Sequence, residues 1–492
     1  MTHRPPTDAP APAADDPHAG YRSPLESRNA SAAMRAAWSA RRKFGLWRRI
    51  WLALAESQHE LGLPVTAEQV AQLRAHLDDI DFAAAEAHEA RLRHDVMAHV
   101  HAFGDAAPGA RGIIHFGATS QDVVCNADAL ILRESLQIVA RKLAAAVDRV
   151  GRFAAEHRAL PTLGYTHYQP AQPTTVGKRA TLWGQDFAVA LAEIESRLDG
   201  LRLRGLRGAT GTQASYLGLF GGDAAKVDEL ERRFAAKLGW PADRRWCVCG
   251  QTYPRLADAQ VLSSLAIAAA AVHKTCNDLR LLANLKEVEE PFEREQIGSS
   301  AMAYKRNPMR CERATGLARF VMNLSHNALD TAATQWFERT LDDSANRRLS
   351  LPEAFLALDG ALDIMINVLG GLVVYPQTIR AHLEAELPFM ASEGILLAAT
   401  QAGADRQEAH EVIRRHSQEA AHAVKSQGRP NDLLQRLRGE PIFARLDLDR
   451  VMDPAAFVGR APEQVDRFLR DIVAPVRDRY RESLGAEPTL RV

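Results

Sequence analysis

The sequence predicts an all-α protein built round a central bundle of long helices. Three observations carry this. Several segments run far beyond average helix length almost free of proline and glycine, apolar residues recur at helical spacing, and alternating strand pattern occurs only in short pieces. A chain of 492 residues is too long for one compact core, so several domains are expected.

In chain order, residues 1–20 carry five prolines and five alanines but no apolar run, so they read as a disordered tail and not as a secretory signal. Trp47, Ile50, Trp51, Leu54 and Leu61 mark a helix that Gly62 and Pro64 stop. Thr66 and Gln69 form a capping box for the next helix. Residues 21–119 are taken as an N-terminal helical domain. Residues 120–374 form the central bundle domain. Within it, Asn126–His157 holds a single glycine, Gly151, and Leu256–Glu290 holds neither glycine nor proline. The latter permits a helix of about 45 Å. Gln172–Leu206 and Cys311–Leu351 extend the pattern. Val261, Leu262, Leu265, Ile267, Ala268, Ala271 and Val272 cover more than one helix face, so several neighbours are needed and oligomerisation is expected. That stretch is too short and serine-broken to span a bilayer. Gly370–Pro376 interrupts the pattern, which puts a boundary near Tyr375. Residues 375–492 read as a C-terminal domain of shorter helices.

Lys plus Arg and Asp plus Glu balance at 61 each, with 46% hydrophobic and 25% charged residues. No basic field for nucleic acid exists, so an anionic ligand needs a local arginine cluster. The five cysteines, at 125, 247, 249, 276 and 311, follow no disulfide spacing. Cys247 and Cys249 have no second Cys/His pair nearby, so no metal site is expected. A reducing cytoplasm is the natural setting.

Three segments carry chemistry. Gly298-Ser299-Ser300-Ala301-Met302-Ala303-Tyr304-Lys305-Arg306-Asn307-Pro308 is specific through its fixed offsets, since a lone Gly-Ser-Ser is ordinarily a flexible loop. Gly164-Tyr165-Thr166-His167-Tyr168-Gln169-Pro170-Ala171-Gln172-Pro173 offers a histidine that, on its own, reads as a structural hydrogen-bonder. His115-Phe116-Gly117-Ala118-Thr119-Ser120-Gln121-Asp122 reads as a turn capping a long helix, whose free N–H groups also suit carboxylates.

Together the three segments resemble the fumarase/aspartase superfamily. Arg91–Met97, Gly250–Tyr253 and Trp336–Arg348 are further similar to the adenylosuccinate lyase family in its animal-type form. The resemblance runs from about Tyr21 to about residue 480. It implies a three-domain all-α fold, a homotetramer with active sites shared between subunits, and no cofactor. The implied substrates are small succinyl-purines, from which fumarate leaves by β-elimination: adenylosuccinate giving AMP, and the succinylated carboxamide intermediate of purine synthesis.

Such chemistry needs a base, an anion clamp, an acid and a phosphate holder. By resemblance Ser299 is the base, His167 the general acid, and Lys305 with Asn307 the clamp, with His94 assisting His167 or the phosphate. Arg28, Arg339, Ser344 and Arg348 are the phosphate holder. Arg93, Asp95, Thr119, Ser120, Gln251 and Arg313 complete the substrate contacts. The plainer reading of Arg339 and Arg348 is surface pairing with Asp342 and Asp343. Two departures stand out. Ala303 occupies a position where the family usually has proline, and Asn29 follows Arg28 where tyrosine is usual. A sister lyase such as argininosuccinate lyase or fumarase has no 5′-phosphate to bind, which would leave the Arg339–Arg348 string without a task. A non-catalytic helical scaffold would be expected to have lost Ser299, His167 or Lys305, and all three are present.

Overall fold

The computed structural model describes residues 20–451, 453–485 and 488–490. All but the last residue of the expected disordered tail, 1–20, therefore lies outside the described residues.

The N-terminal part comprises α1 (Ala32–Ala37), α2 (Ala40–Glu60), α3 (Ala67–Ala75), α4 (Phe82–Leu92) and α5 (Asp95–Ala106). The bundle follows with α6 (Ser120–Glu156), a hairpin of β1 (Pro161–Thr166) and β2 (Gln169–Thr175), and α7 (Val176–Gly200). The short α8 (Ala214–Leu219) and α9 (Ala224–Lys237) lead to α10 (Leu256–Asn284), β3 (Val288–Glu289), α11 (Met309–Ala333), α12 (Asp342–Gly370) and β4 (Val373–Val374). The chain ends through α13 (Pro376–Met390), α14 (Ser392–Gln401), α15 (Arg406–Gln427), α16 (Leu433–Arg438), α17 (Leu448–Val451), α18 (Ala461–Phe468) and α19 (Ala474–Tyr480). Strand accounts for little of the chain, and the class is all-α.

Several elements form for the reasons the sequence announces. Ser39 caps α2, and Trp47, Ile50, Trp51 and Leu54 are buried on it. Gly62, at φ 80°, ends it, and the Thr66–Gln69 capping box starts α3. The Asp122 carboxylate accepts the Thr119 N–H at 2.8 Å, fixing the start of α6. Pro376 opens α13 directly after the expected break, and β4 pairs antiparallel with β3 there.

Other elements differ from the sequence reading. The expected helix from Gln172 starts only at Val176, because Gln172–Thr175 belongs to β2, and it stops at Gly200. The expected run Cys311–Leu351 is broken at Thr334–Leu341. There Phe337 adopts φ 47° and the Thr340 hydroxyl accepts the Trp336 N–H at 2.7 Å, with no proline or glycine to announce the turn. The run Leu256–Glu290 stops at Asn284, where Lys286 turns at φ 58°.

Helices α6, α7, α10, α11 and α12 pack into the bundle, and one large apolar core joins them to α2 and α5. Helix α10 is long and apolar enough to cross a membrane by length and composition, but 56% of its apolar window is buried inside this fold. A second, smaller core unites Ile395, Ile413, Leu437 and Phe443 from α14 to α16 and beyond. Val465, Phe468 and Val473 return to the large core. Gly184 permits this, since a Cβ there would run into the Phe468 ring.

Candidate functional site

The bundle has two chemically distinct ends. At one, a cleft of ≈ 900 Å³ opens between the N-terminal helices and the bundle. Nine residues singled out in the sequence line it: Arg93, His94, Asp95, Thr119, Ser120, Gln251, Arg339, Ser344 and Arg348. Local structure explains their positions. Arg93 closes α4 at φ 54°, and His94 caps α5, its Nδ1 accepting the Met97 N–H at 3.4 Å. That leaves Nε2 facing Ser120 Oγ at 3.4 Å. The N–H of Gln251 donates to the Glu338 carbonyl, tying Gly250–Tyr253 to the Trp336–Arg348 string.

The cleft floor is a buried ionic network that sequence reasoning missed. Arg347 donates to Asp258 at 2.6 Å, to Asp128 at 2.9 Å and to the Tyr253 hydroxyl at 2.7 Å. Arg255 holds Asp343 at 2.8 Å. Burial opposes ionisation of Asp258, but the guanidinium groups of Arg347 and Arg255 outweigh it and hold the carboxyl below its usual value. Arg347 lay inside the quoted string and Tyr253 beside Gln251, yet nothing in the sequence shows that Asp128 and Asp258 converge on them.

Arg339 pairs with Asp343 at 3.4 Å, as the plainer reading had it, but in a buried setting. Its Nε and Nη1 are buried without a hydrogen-bond partner, and burial lowers its pKa. Arg348 pairs instead with Asp95, at 2.7 Å.

The remaining candidates do not line the cleft. Thr119 starts α6, whereas His167 lies on the hairpin after that helix ends, about 55 Å further on along its axis. His167 and Tyr168 form a two-residue turn at φ 53° and 59°, which leaves the imidazole exposed at the hairpin tip. Gln251 and Arg255 precede α10, whereas the Ser299 loop follows its far end, about 43 Å away. That loop is anchored where Glu290 accepts the N–H groups of Arg310 and Cys311, both at 3.0 Å.

Within the loop, Ser299 Oγ accepts the N–H groups of Ala301 at 3.3 Å and Met302 at 3.2 Å. Lys305 donates its N–H to the Met302 carbonyl at 3.0 Å, closing a turn with Ala303 at its second position. Asn307 donates to the Gly298 carbonyl at 2.8 Å, so here it braces the loop. The Lys305 side chain is exposed.

Arg28 and Arg313 form a third group, also away from the cleft. Arg313 donates to the Arg28 carbonyl at 2.9 Å and to Asn29 Oδ1 at 2.8 Å. Asn29 therefore has a task in this chain: it orients Arg313. Within one chain, Arg28 does not join Arg339, Ser344 and Arg348.

Comparison with known proteins identifies the family. Residues 28–323 match a family model described as lyase, and residues 388–468 match one described as adenylosuccinate lyase C-terminus. The chain is 50% identical to an adenylosuccinate lyase of Saccharomyces cerevisiae, over 95% of this chain and 98% of that one. It is 49% identical to an adenylosuccinate lyase of Schizosaccharomyces pombe, over 96% and 98%. A fumarate lyase structure from Mesorhizobium sp. BNC1 superposes with a TM-score of 0.76 at 26% identity, covering 90% of this chain and 98% of that one.

Proposed function

The chain belongs to the adenylosuccinate lyase family, and on that premise we propose how its residues divide the reaction. It is a carbon–nitrogen lyase that releases fumarate from adenylosuccinate, leaving AMP, and from the succinylated carboxamide intermediate of purine synthesis.

Ser299 takes the proton from the carbon beside a succinyl carboxylate. The C–H electron pair forms the new double bond as the C–N bond breaks, and His167 returns a proton to the departing nitrogen. Charge that builds on the carboxylate meets Lys305. Two loop N–H groups aimed at Ser299 Oγ support the base assignment, because they stabilise an alkoxide. Asn307 keeps the loop shaped through the Gly298 carbonyl.

Arg339, Ser344 and Arg348 hold the 5′-phosphate in the cleft. The observation that carries this is the pair of buried, unpartnered Arg339 nitrogens, which a phosphate would satisfy. Arg93, His94, Asp95, Thr119, Ser120 and Gln251 surround the rest of the substrate there. Arg28 and Arg313 contribute from another chain.

The cleft and the elimination loop lie at opposite ends of helices tens of ångströms long, which supports a homotetramer whose sites draw on several chains. Exposed apolar side chains on the bundle support it too: Val189, Ile267, Phe320 and Leu349, with Trp336 and Phe337 at the α11–α12 turn. We assign residues 21–119, 120–374 and 375–492 to three domains, and the enzyme to the cytoplasm.

The test is fumarate release from adenylosuccinate, argininosuccinate and dephosphorylated adenylosuccinate. Turnover of the first, none of the second and a loss of several kcal/mol in kcat/KM for the third is expected, since buried arginines would go unpaired. Equal turnover with and without the phosphate overturns the cleft assignment.

A further inference from the structure

One cation of the cleft has neither a task in the division just given nor a carboxylate partner among the described residues. Lys43 lies in the first turn of α2, fixed from behind by the Ser39 cap and the buried Trp47. Its ammonium stands 5.0 Å from the ring centroids of both Phe44 and Trp47. Among the described residues it makes no ion pair.

The cleft lining carries six cations against four carboxylates. Arg255, Arg339, Arg347 and Arg348 are each paired with a carboxylate. Lys43 and Arg93 form no such pair among the described residues, nor does the lining carboxylate Glu89, and the lining as a whole carries two more cations than carboxylates. Burial lowers the pKa of Lys43 and the nearby Arg348 guanidinium lowers it further, against opposing pulls from Asp128, Asp95 and Glu89. Arg348 is itself engaged by Asp95, so it cannot alone neutralise a dianion. Ser344 sits in the first turn of α12, where free N–H groups and the helix dipole also favour negative charge.

We propose that Lys43 binds the substrate 5′-phosphate beside Arg348 and Ser344, and so sets the preference for phosphorylated over dephosphorylated substrate. This rests on the reading that the cleft holds the phosphate. A compact ammonium on an aromatic floor supplies a full point charge to a dianion, beside the two Arg339 nitrogens that remain free to donate.

The experiment compares wild type, Lys43→Met, Lys43→Arg and Arg348→Met with adenylosuccinate and its dephosphorylated form. Met keeps the stem packed on Trp47 and removes the charge. The KM of Lys43→Met for adenylosuccinate should rise roughly 10- to 100-fold, as when a charged hydrogen bond is lost. Its kcat should fall much less, and the dephosphorylated substrate should suffer far less in KM. Lys43→Arg should recover most of the loss. A purely structural lysine would affect both substrates alike, and that result overturns the inference. If Arg348→Met abolishes the phosphate preference while Lys43→Met keeps it, the inference alone fails. If wild type shows no phosphate preference, the cleft reading fails and takes the inference with it. Reductive methylation of the wild-type enzyme, read by mass spectrometry, covers the case in which Lys43→Met does not fold. AMP and inorganic phosphate should slow methylation of Lys43, while adenosine and fumarate should not. Absence of protection by AMP, or protection by fumarate instead, overturns the proposal.

Discussion

A serine hydroxyl is a poor base until its alkoxide is stabilised, and the loop N–H groups of Ala301 and Met302 converge on Ser299 Oγ. Ser299→Ala and His167→Ala should each lower single-turnover rates by at least about 100-fold with the fold unchanged by circular dichroism, since general acid–base groups contribute 10²–10⁴-fold. A Ser299→Ala enzyme retaining more than roughly a tenth of the rate would falsify the base assignment. Ala303 occupies the turn position that proline favours, and its N–H donates to no acceptor among the described residues. Ala303→Pro should therefore stabilise by about 0.5 kcal/mol, measured by denaturant unfolding, while activity stays. Lost activity in a folded variant would mean that the loop needs its mobility. A third residue prediction concerns acid. His99 stacks on Phe44 at 3.6 Å, and burial first, then the charges of Lys43 and Arg48, lower its pKa from 6.5 to about 4, against a weaker opposing pull from Asp95. Its folded pKa is depressed, so the unfolded chain binds the extra proton. The stability it contributes is present above pH 6.5 and is lost as pH falls towards 4. Tm should drop over that window, and less steeply in His99→Gln; equal slopes would contradict it. At this scale the motif residues were legible because their types and offsets are specific. Asp128, Asp258 and Lys43 were not, because each is an ordinary charged residue on a helix until the fold brings Asp128 and Lys43 to the cleft and buries Asp258 against Arg347.

Among the elements, helices with local signals were readable and turns without them were not. The Thr66–Gln69 box and the Gly62 stop are written into adjacent residues. The β1–β2 hairpin is not, because its turn is His167–Tyr168 where Asn-Gly would be the usual sign, and β2 contains two prolines. The break between α11 and α12 likewise relies on Phe337 in a left-handed conformation that sequence does not announce. The Ser299 loop makes a sharper demand on its glycine. A Cβ on Gly298 would run into the Lys305 carbonyl oxygen and crowd the Phe292 ring. Gly298→Ala should thus displace the stretch that joins Ser299, the proposed base, to Lys305, the proposed clamp. We expect kcat to fall more than tenfold in a folded enzyme, because ångström-scale misplacement costs about 10²-fold. Wild-type kcat in that variant would show that the loop closes differently from the conformation seen here.

Across the whole molecule, the all-α class and the break near Tyr375 followed from segment length and helix-breaking residues alone. The expectation of a shared site rests on the same segment lengths, because long helical stretches separate Thr119, His167 and Ser299. In the structure α6 and α10 run from the cleft towards the ends that carry His167 and the Ser299 loop. A rigid helix of about 43 Å cannot bring its two ends to one substrate. On the proposed division of roles, one chain holds the parts of a site without holding a site, and we propose that neighbouring chains complete it. Subunit complementation tests that most directly. His167→Ala and Arg348→Met enzymes, each inactive or crippled alone, are mixed, gently dissociated and reassembled, with exchange verified by mass spectrometry. If each site draws the two residues independently from different chains of a symmetric oligomer, about one quarter of sites regain both, and activity should recover to about that fraction of wild type. No recovery despite proven exchange would place His167 and Arg348 of the same chain in one site and contradict the account.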